Sequence, residues 1–77
     1  MAHSLDQLQT GQQGRIEAIQ ANGALGQRLL EIGLLEGEVI EVVGFAPLGD
    51  PMEIRLHYYC LSLRKSEAAR VVVTLLS

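Results

Sequence analysis

His57 and Cys60 are the residues whose types and spacing could hold a metal ion, with Asp50 and Glu53 a short distance upstream. On consecutive strands joined by a tight turn, an imidazole and a thiol three residues apart can approach one another, and a carboxylate can assist. Such a set makes at most a partly open surface site for a divalent transition metal, not the closed cage of a structural zinc. The spacing matches no ligand pattern, so the expected reading is an exposed histidine and a strand cysteine with no ligand role. Cys60 is the only cysteine, which excludes an internal disulfide and a multi-cysteine site. His3 belongs to an expected flexible tail over residues 1–4. No metal or cofactor is expected from the residues.

No catalytic constellation assembles either. The chain has no GxSxG, no HExxH and no GxxxxGK[ST]. Gly23 and Gly26 mimic part of a phosphate-cradling loop, but their spacing is short, and a turn with a helix start explains them. An enzyme is not expected.

Charge narrows the partners. A net charge of −3 argues against a nucleic-acid module, which works by neutralising phosphates. Glu31, Glu36, Glu38 and Glu41 could form one negative patch, solvated or steering a basic partner. Arg64 and Lys65, with Arg55 and Arg70, make a positive cluster too small for nucleic acid but adequate for a protein contact. The longest apolar runs fall far below the roughly 18 residues of a spanning helix, so any work at a membrane would go through a partner. No basic-then-apolar leader is seen, and the single cysteine fits a reducing cytoplasm.

The elements that position these groups follow from periodicity. At 77 residues the chain is expected to form one domain, with about 60% of its unfolded surface buried. Ser4 can cap a short turn over Leu5–Leu8, and Gly11 and Gly14 precede a first strand, Arg15–Gln20, with a bulge near Ala18 or Ile19. Asn22 caps a helix whose Leu25, Leu29 and Ile32 form one apolar stripe, and Gly33 ends it in a left-handed conformation. Val39–Phe45 is apolar on both faces, which predicts a central strand buried on both sides. Met52–His57 alternates, with Met52, Ile54 and Leu56 inward. Tyr59, Leu61 and Leu63 form a second inward set after a tight reversal at His57-Tyr58. Ser66 can cap a single helical turn, and Val71–Leu75 closes the fold. The sum is a mainly β chain, a five-stranded, partly open antiparallel barrel with one short helix inserted after the first strand.

Some residues are not obviously required by that scaffold. Leu30 lies about 140° from Leu25 around the helix, so either Leu34 and its loop cover it or it faces a partner. Leu48 sits in Ala46-Pro47-Leu48-Gly49-Asp50-Pro51, a loop stiffened by two prolines; it either folds back on Phe45 or Met52, or stands out as an apolar anchor. The candidate partner-binding set is therefore Arg28, Leu30, Pro47, Leu48, Gly49, Asp50, Pro51 and Arg64. A homodimer through the apolar terminal run Val71–Leu76, as a free strand edge, or through the helix is a further expectation.

Three motifs in order carry a family resemblance. Gln27–Gly37 (QRLLEIGLLEG), Ala46–Pro51 (APLGDP) and Leu61–Lys65 (LSLRK) resemble segments of the FeoA family, with Glu67-Ala68 and Val71–Val73 also similar. The resemblance spans roughly Leu5 to Val73. It implies an SH3-like barrel and a cytoplasmic, non-catalytic accessory protein of bacterial ferrous iron uptake. Its implied partner is the cytosolic GTP-binding domain of the FeoB iron permease. The same fold occurs in iron- or manganese-responsive repressors, which implies as the alternative a divalent-metal-sensing module.

Overall fold

Period-two alternation is strictest in Met52–Leu56, where Met52, Ile54 and Leu56 are buried and Glu53 and Arg55 are exposed. A strand with one dry and one wet face belongs in an antiparallel sheet over a single core. The computed structural model describes residues 2–57 and 59–76. In chain order the elements are β1 (Ala2–Ser4), a 3-10 turn (Leu5–Gln7), β2 (Gln13–Ile19), α1 (Gly23–Glu31), β3 (Val39–Phe45), β4 (Met52–Leu56), β5 (Tyr59–Leu63), α2 (Lys65–Ala68) and β6 (Val71–Leu75). The strands form one antiparallel sheet in the order β1-β6-β2-β3-β4-β5. Among the described residues β1 and β5 do not pair with each other, so the barrel is partly open.

The sheet has six strands where periodicity predicts five. Residues 2–4, expected as tail, pair with Thr74, Val73 and Val72. Three residues are too few for a period to show; pairing is imposed by the neighbouring β6 and by Leu5, buried just behind it. The capping position of Ser4 holds: its backbone N–H donates to Gln7 Oε1 at 3.2 Å and its hydroxyl to Asp6. Because β6 lies between β1 and β2, the terminal valine run is not a free edge, and the expected edge-to-edge dimer loses its surface.

Two bulges curve the sheet. The β2–β6 register slips between Ile16 and Ala18, as the imperfect alternation there suggests, and β3–β4 slips between Val42 and Gly44. In β3 the two-sided burial is not found. Ile40 and Val42 are buried, whereas Val39 is 40% exposed on the other face. β-branched residues favour a pleated strand whether or not both faces are dry, so the run specifies strand but not burial.

The core joins both sheet ends to α1. Leu5, Ile16, Leu29, Leu34, Ile40, Val42, Met52, Ile54, Leu56, Leu63, Val71 and Val73 are fully buried, each side chain stabilising the fold by about 1.5–3 kcal/mol. On α1 the stripe narrows to Leu29, with Leu25 and Ile32 partly buried beside it. In β5 only Leu63 is buried, and Tyr59, expected inward, is half-exposed.

Candidate functional site

The β3–β4 loop is closed by its own backbone. Ala46 N–H donates to the Pro51 carbonyl at 2.9 Å, and Gly49 N–H donates to the Ala46 carbonyl at 2.7 Å. Pro47 supplies the fixed φ at the second position of that turn, and Gly49 takes φ +87° at its end, where a side chain would be strained. The Asp50-Pro51 peptide is cis. Asp50 Oδ1 accepts the Lys65 backbone N–H at 3.0 Å, and Lys65 Nζ sits 5.3 Å from the centre of the Phe45 ring. The loop is thus tied to α2 from both sides, and Leu48 stands 97% exposed at its tip. The folded-back alternative for Leu48 does not occur.

This tie also corrects the capping of α2. Arg64, not Ser66, occupies the N-cap, and the helix starts two residues earlier than the Ser66 reading places it. An arginine carries no local capping signal; the acceptor for the first free N–H comes from Asp50, fifteen residues away. Glu67 completes the turn. Its Oε1 accepts Arg64 N–H at 3.0 Å and its Oε2 takes Arg28 Nε at 2.8 Å. Partial burial raises the Glu67 pKa, but the Arg64 N–H bond and the Arg28 guanidinium together lower it below the ordinary carboxylate value.

The candidate residues therefore divide. Pro47, Leu48, Gly49, Asp50 and Pro51 share one surface with Arg64, which lines a shallow hollow beside Asp50 and Pro51. Arg28 reaches this surface through Glu67. Leu30 does not. Two residues along a helix is about 200°, so Arg28 faces α2 while Leu30 turns away. Leu30 is 50% exposed; Leu34 is buried beneath and does not cover it. With Leu35 (48% exposed), Leu34, Ile19, Ala21 and Gly26 it lines an apolar groove of about 570 Å³.

The exposure of Leu35 follows from the way the helix ends. Gly33 (φ +99°) closes α1 with Gly33 N–H to the Leu30 carbonyl at 3.0 Å and Leu34 N–H to the Leu29 carbonyl at 3.1 Å. That pairing tucks the residue after the glycine against the helix, so the next one points out. Tyr59, on β5, donates its hydroxyl to the Ile32 carbonyl at 2.9 Å and completes the same helix end.

His57 Nε2 lies 2.7 Å from Glu38 Oε2, while Cys60 sits opposite Arg55 in the β4–β5 register. Glu41 pairs with Arg55. Glu38 and Glu41 thus belong to a mixed-charge hollow with His57 and Arg55, and Glu36 lines the apolar groove instead. The four acids form no single patch. Among the described residues no group of three or more His, Cys, Asp or Glu side chains could hold a metal. Tyr58, half of the expected reversal, lies outside the described residues; His57 takes φ +50° there. Among the described residues no helix is long and apolar enough to cross a membrane.

The whole domain is similar to known proteins. The model of the FeoA domain matches residues 3–75. The chain is 41% identical over 73 residues to an Fe(2+) transport protein A/Fe(2+) transporter FeoB fusion protein of Porphyromonas gingivalis, covering 95% of this chain and 9% of the fusion's length. An NMR structure of an FeoA-like protein from Clostridium acetobutylicum is similar at 32% identity and TM-score 0.92, over 99% of this chain and 88% of that one. A zinc-complexed crystal structure of Stenotrophomonas maltophilia FeoA, described as a procaryotic SH3 domain protein, is similar at 35% identity and TM-score 0.80, over 96% and 89%. The fold is thus that of a known domain, and the chain belongs to the FeoA family.

Proposed function

We propose that this domain is a non-catalytic, cytoplasmic accessory module of ferrous iron uptake that docks on the cytosolic GTP-binding domain of an FeoB permease. The observation that carries the reading is the relative in which a similar domain is fused to FeoB, since one chain holds both at high effective concentration. The docking surface is Pro47–Pro51 with Arg64, steadied by α2 and by Arg28 through Glu67. An exposed leucine on a loop held by its own backbone loses little entropy on binding, which favours it as an anchor. Arg28 pairs with Glu67, Arg55 with Glu41 and His57 with Glu38, which suits a contact surface better than proton transfer.

Calorimetric titration of the chain against the permease's GTP-binding domain, nucleotide-free and GTP-bound, tests the reading. Saturable binding in at least one state is expected, with Leu48→Asp weakening it about tenfold or more, roughly 1.4 kcal/mol. Absence of binding in both states overturns the proposal; undiminished binding by Leu48→Asp removes the loop from it.

A further inference from the structure

Asn22-Gly23, at the start of α1, sets a side-chain amide beside a backbone nitrogen that can attack it. Asn22 is the only asparagine in the chain, and a glycine follows it. Both residues are exposed. Asn22 holds the N-cap position, yet its side chain makes no capping hydrogen bond that would fix the amide. Gly23 is the first residue of α1, where an N–H has no carbonyl within the helix to bind. Its φ of +63° is one that glycine adopts readily, and beyond its chain neighbours no atom lies within 4 Å of where a Cβ would stand. The attacking nitrogen is therefore unhindered.

The backbone is also near the geometry of ring closure. At φ −133° and ψ 180° Asn22 is extended, so a partial turn about its Cα–C bond brings Cγ and the Gly23 nitrogen together. That turn moves the Asn22 carbonyl, whose bond from the Gly26 N–H is long, at 3.4 Å, and therefore weak. A helix end held so loosely opens at little cost. Gln13-Gly14, the other side-chain amide that precedes a glycine, is placed differently. It lies in β2, with Gly14 buried and set opposite Ile40 and Leu75 in the sheet.

We infer that Asn22 is a site of spontaneous deamidation in the folded chain, whose products change the charge and shape of the lip of the α1 groove. Base removes the Gly23 amide proton, and the nitrogen attacks Asn22 Cγ. A C–N bond forms, the bond from Cγ to the side-chain nitrogen breaks, and that nitrogen takes up a proton and leaves as ammonia. Water then opens the succinimide at either carbonyl. Attack at Cγ leaves an aspartate at position 22; attack at the backbone carbonyl leaves an isoaspartyl linkage that runs through Cβ and Cγ. The aspartate adds a negative charge at the N-terminus of α1, whose first turn holds no acidic side chain, and strengthens its cap. The isoaspartyl form inserts an extra main-chain atom ahead of α1 and displaces its first turn. Asn22 and Gly23 line the same hollow as Leu30 and Leu35, so both products alter that surface.

Hydroxylamine, which cleaves the succinimide of an Asn-Gly pair, tests the inference on the full chain, folded and in urea. Circular dichroism confirms the fold in the reagent, and mass spectrometry reads the fragments. The folded chain is expected to be cut between Asn22 and Gly23 at a rate within about tenfold of the unfolded chain's, as a frayed helix end allows. A reaction that required global unfolding would be roughly a thousandfold slower or more. On incubation without the reagent, peptide mapping is expected to show the amide at position 22 lost and Gln13 unchanged. An isoaspartyl methyltransferase is expected to label the product. Asn22→Gln changes an exposed side chain and should abolish both the cleavage and the label. A folded rate more than about tenfold below the unfolded one overturns the inference. Cleavage or labelling that persists in Asn22→Gln overturns it as well.

Discussion

Glu67 holds Arg28 at 2.8 Å through one carboxylate oxygen and the backbone N–H of Arg64 at 3.0 Å through the other. One side chain thus joins the inserted helix α1 to the start of α2, and α2 in turn anchors the loop that carries Leu48. Glu67 connects parts of the surface that are distant in sequence. Its role is positional, and it makes no contact with Leu48 itself.

That pairing predicts a pH dependence of known sign. The Glu67 carboxyl titrates below its unfolded value in the folded chain, so its contribution is complete above about pH 4.5 and is lost as pH falls through the lower folded value. Urea unfolding of wild type and Glu67→Gln should differ by about 0.5–1 kcal/mol at neutral pH, given that Arg28 is 55% exposed, and converge in strong acid. A difference that stays constant down to pH 2 would contradict the assignment.

The Tyr59 hydroxyl and Gly33 predict a non-additive pair. A Cβ on Gly33 would meet Tyr59 Oη at 2.5 Å, and Gly33 already lies at φ +99°. Gly33→Ala should cost about 2 kcal/mol from conformation and crowding together. Tyr59→Phe should cost about 1 kcal/mol through the lost bond to the Ile32 carbonyl. In the double variant the crowding disappears with the hydroxyl, so the loss should fall short of the sum. Strict additivity in a double-mutant cycle would show that the two residues do not share this contact.

What the sequence discloses and what it conceals follow from the range of the interactions. Gly33 as a left-handed helix end, the inward set Met52, Ile54 and Leu56, and the bulge after Ile16 all depend on neighbours within a few residues, and all are found. Strand β1 depends on β6, and the cap of α2 depends on Asp50. Neither leaves a local signal. The candidate surface shows the same divide: the APLGDP loop is recognisable as a stiff, exposed unit, whereas its attachment to α2 is tertiary. Helical angle alone, about 200° between residues two apart, separates Arg28 from Leu30, so that much of the division is local.

Asp50 is predicted to hold the loop in place through the Lys65 amide. Asp50→Ala should cost about 1 kcal/mol, the usual loss of a capping side chain, and should raise hydrogen exchange at the Lys65 amide. Asp50→Asn keeps an oxygen acceptor at the same place and should recover most of both. An Asp50→Asn variant as perturbed as Asp50→Ala would show that charge, and not the hydrogen bond to Lys65, is what the position supplies.

Leu48 and Leu29 separate surface from scaffold. Leu48 is 97% exposed, so Leu48→Asp should alter unfolding free energy by no more than about 0.5 kcal/mol. Leu29 is fully buried where α1 packs on the sheet, so Leu29→Ala should cost about 2–5 kcal/mol. If Leu48→Asp abolishes binding with stability intact, the loss lies in the contact. A Leu48→Asp variant destabilised like Leu29→Ala would mean that the tip packs into the domain in solution, and the loop would lose its standing as a recognition element.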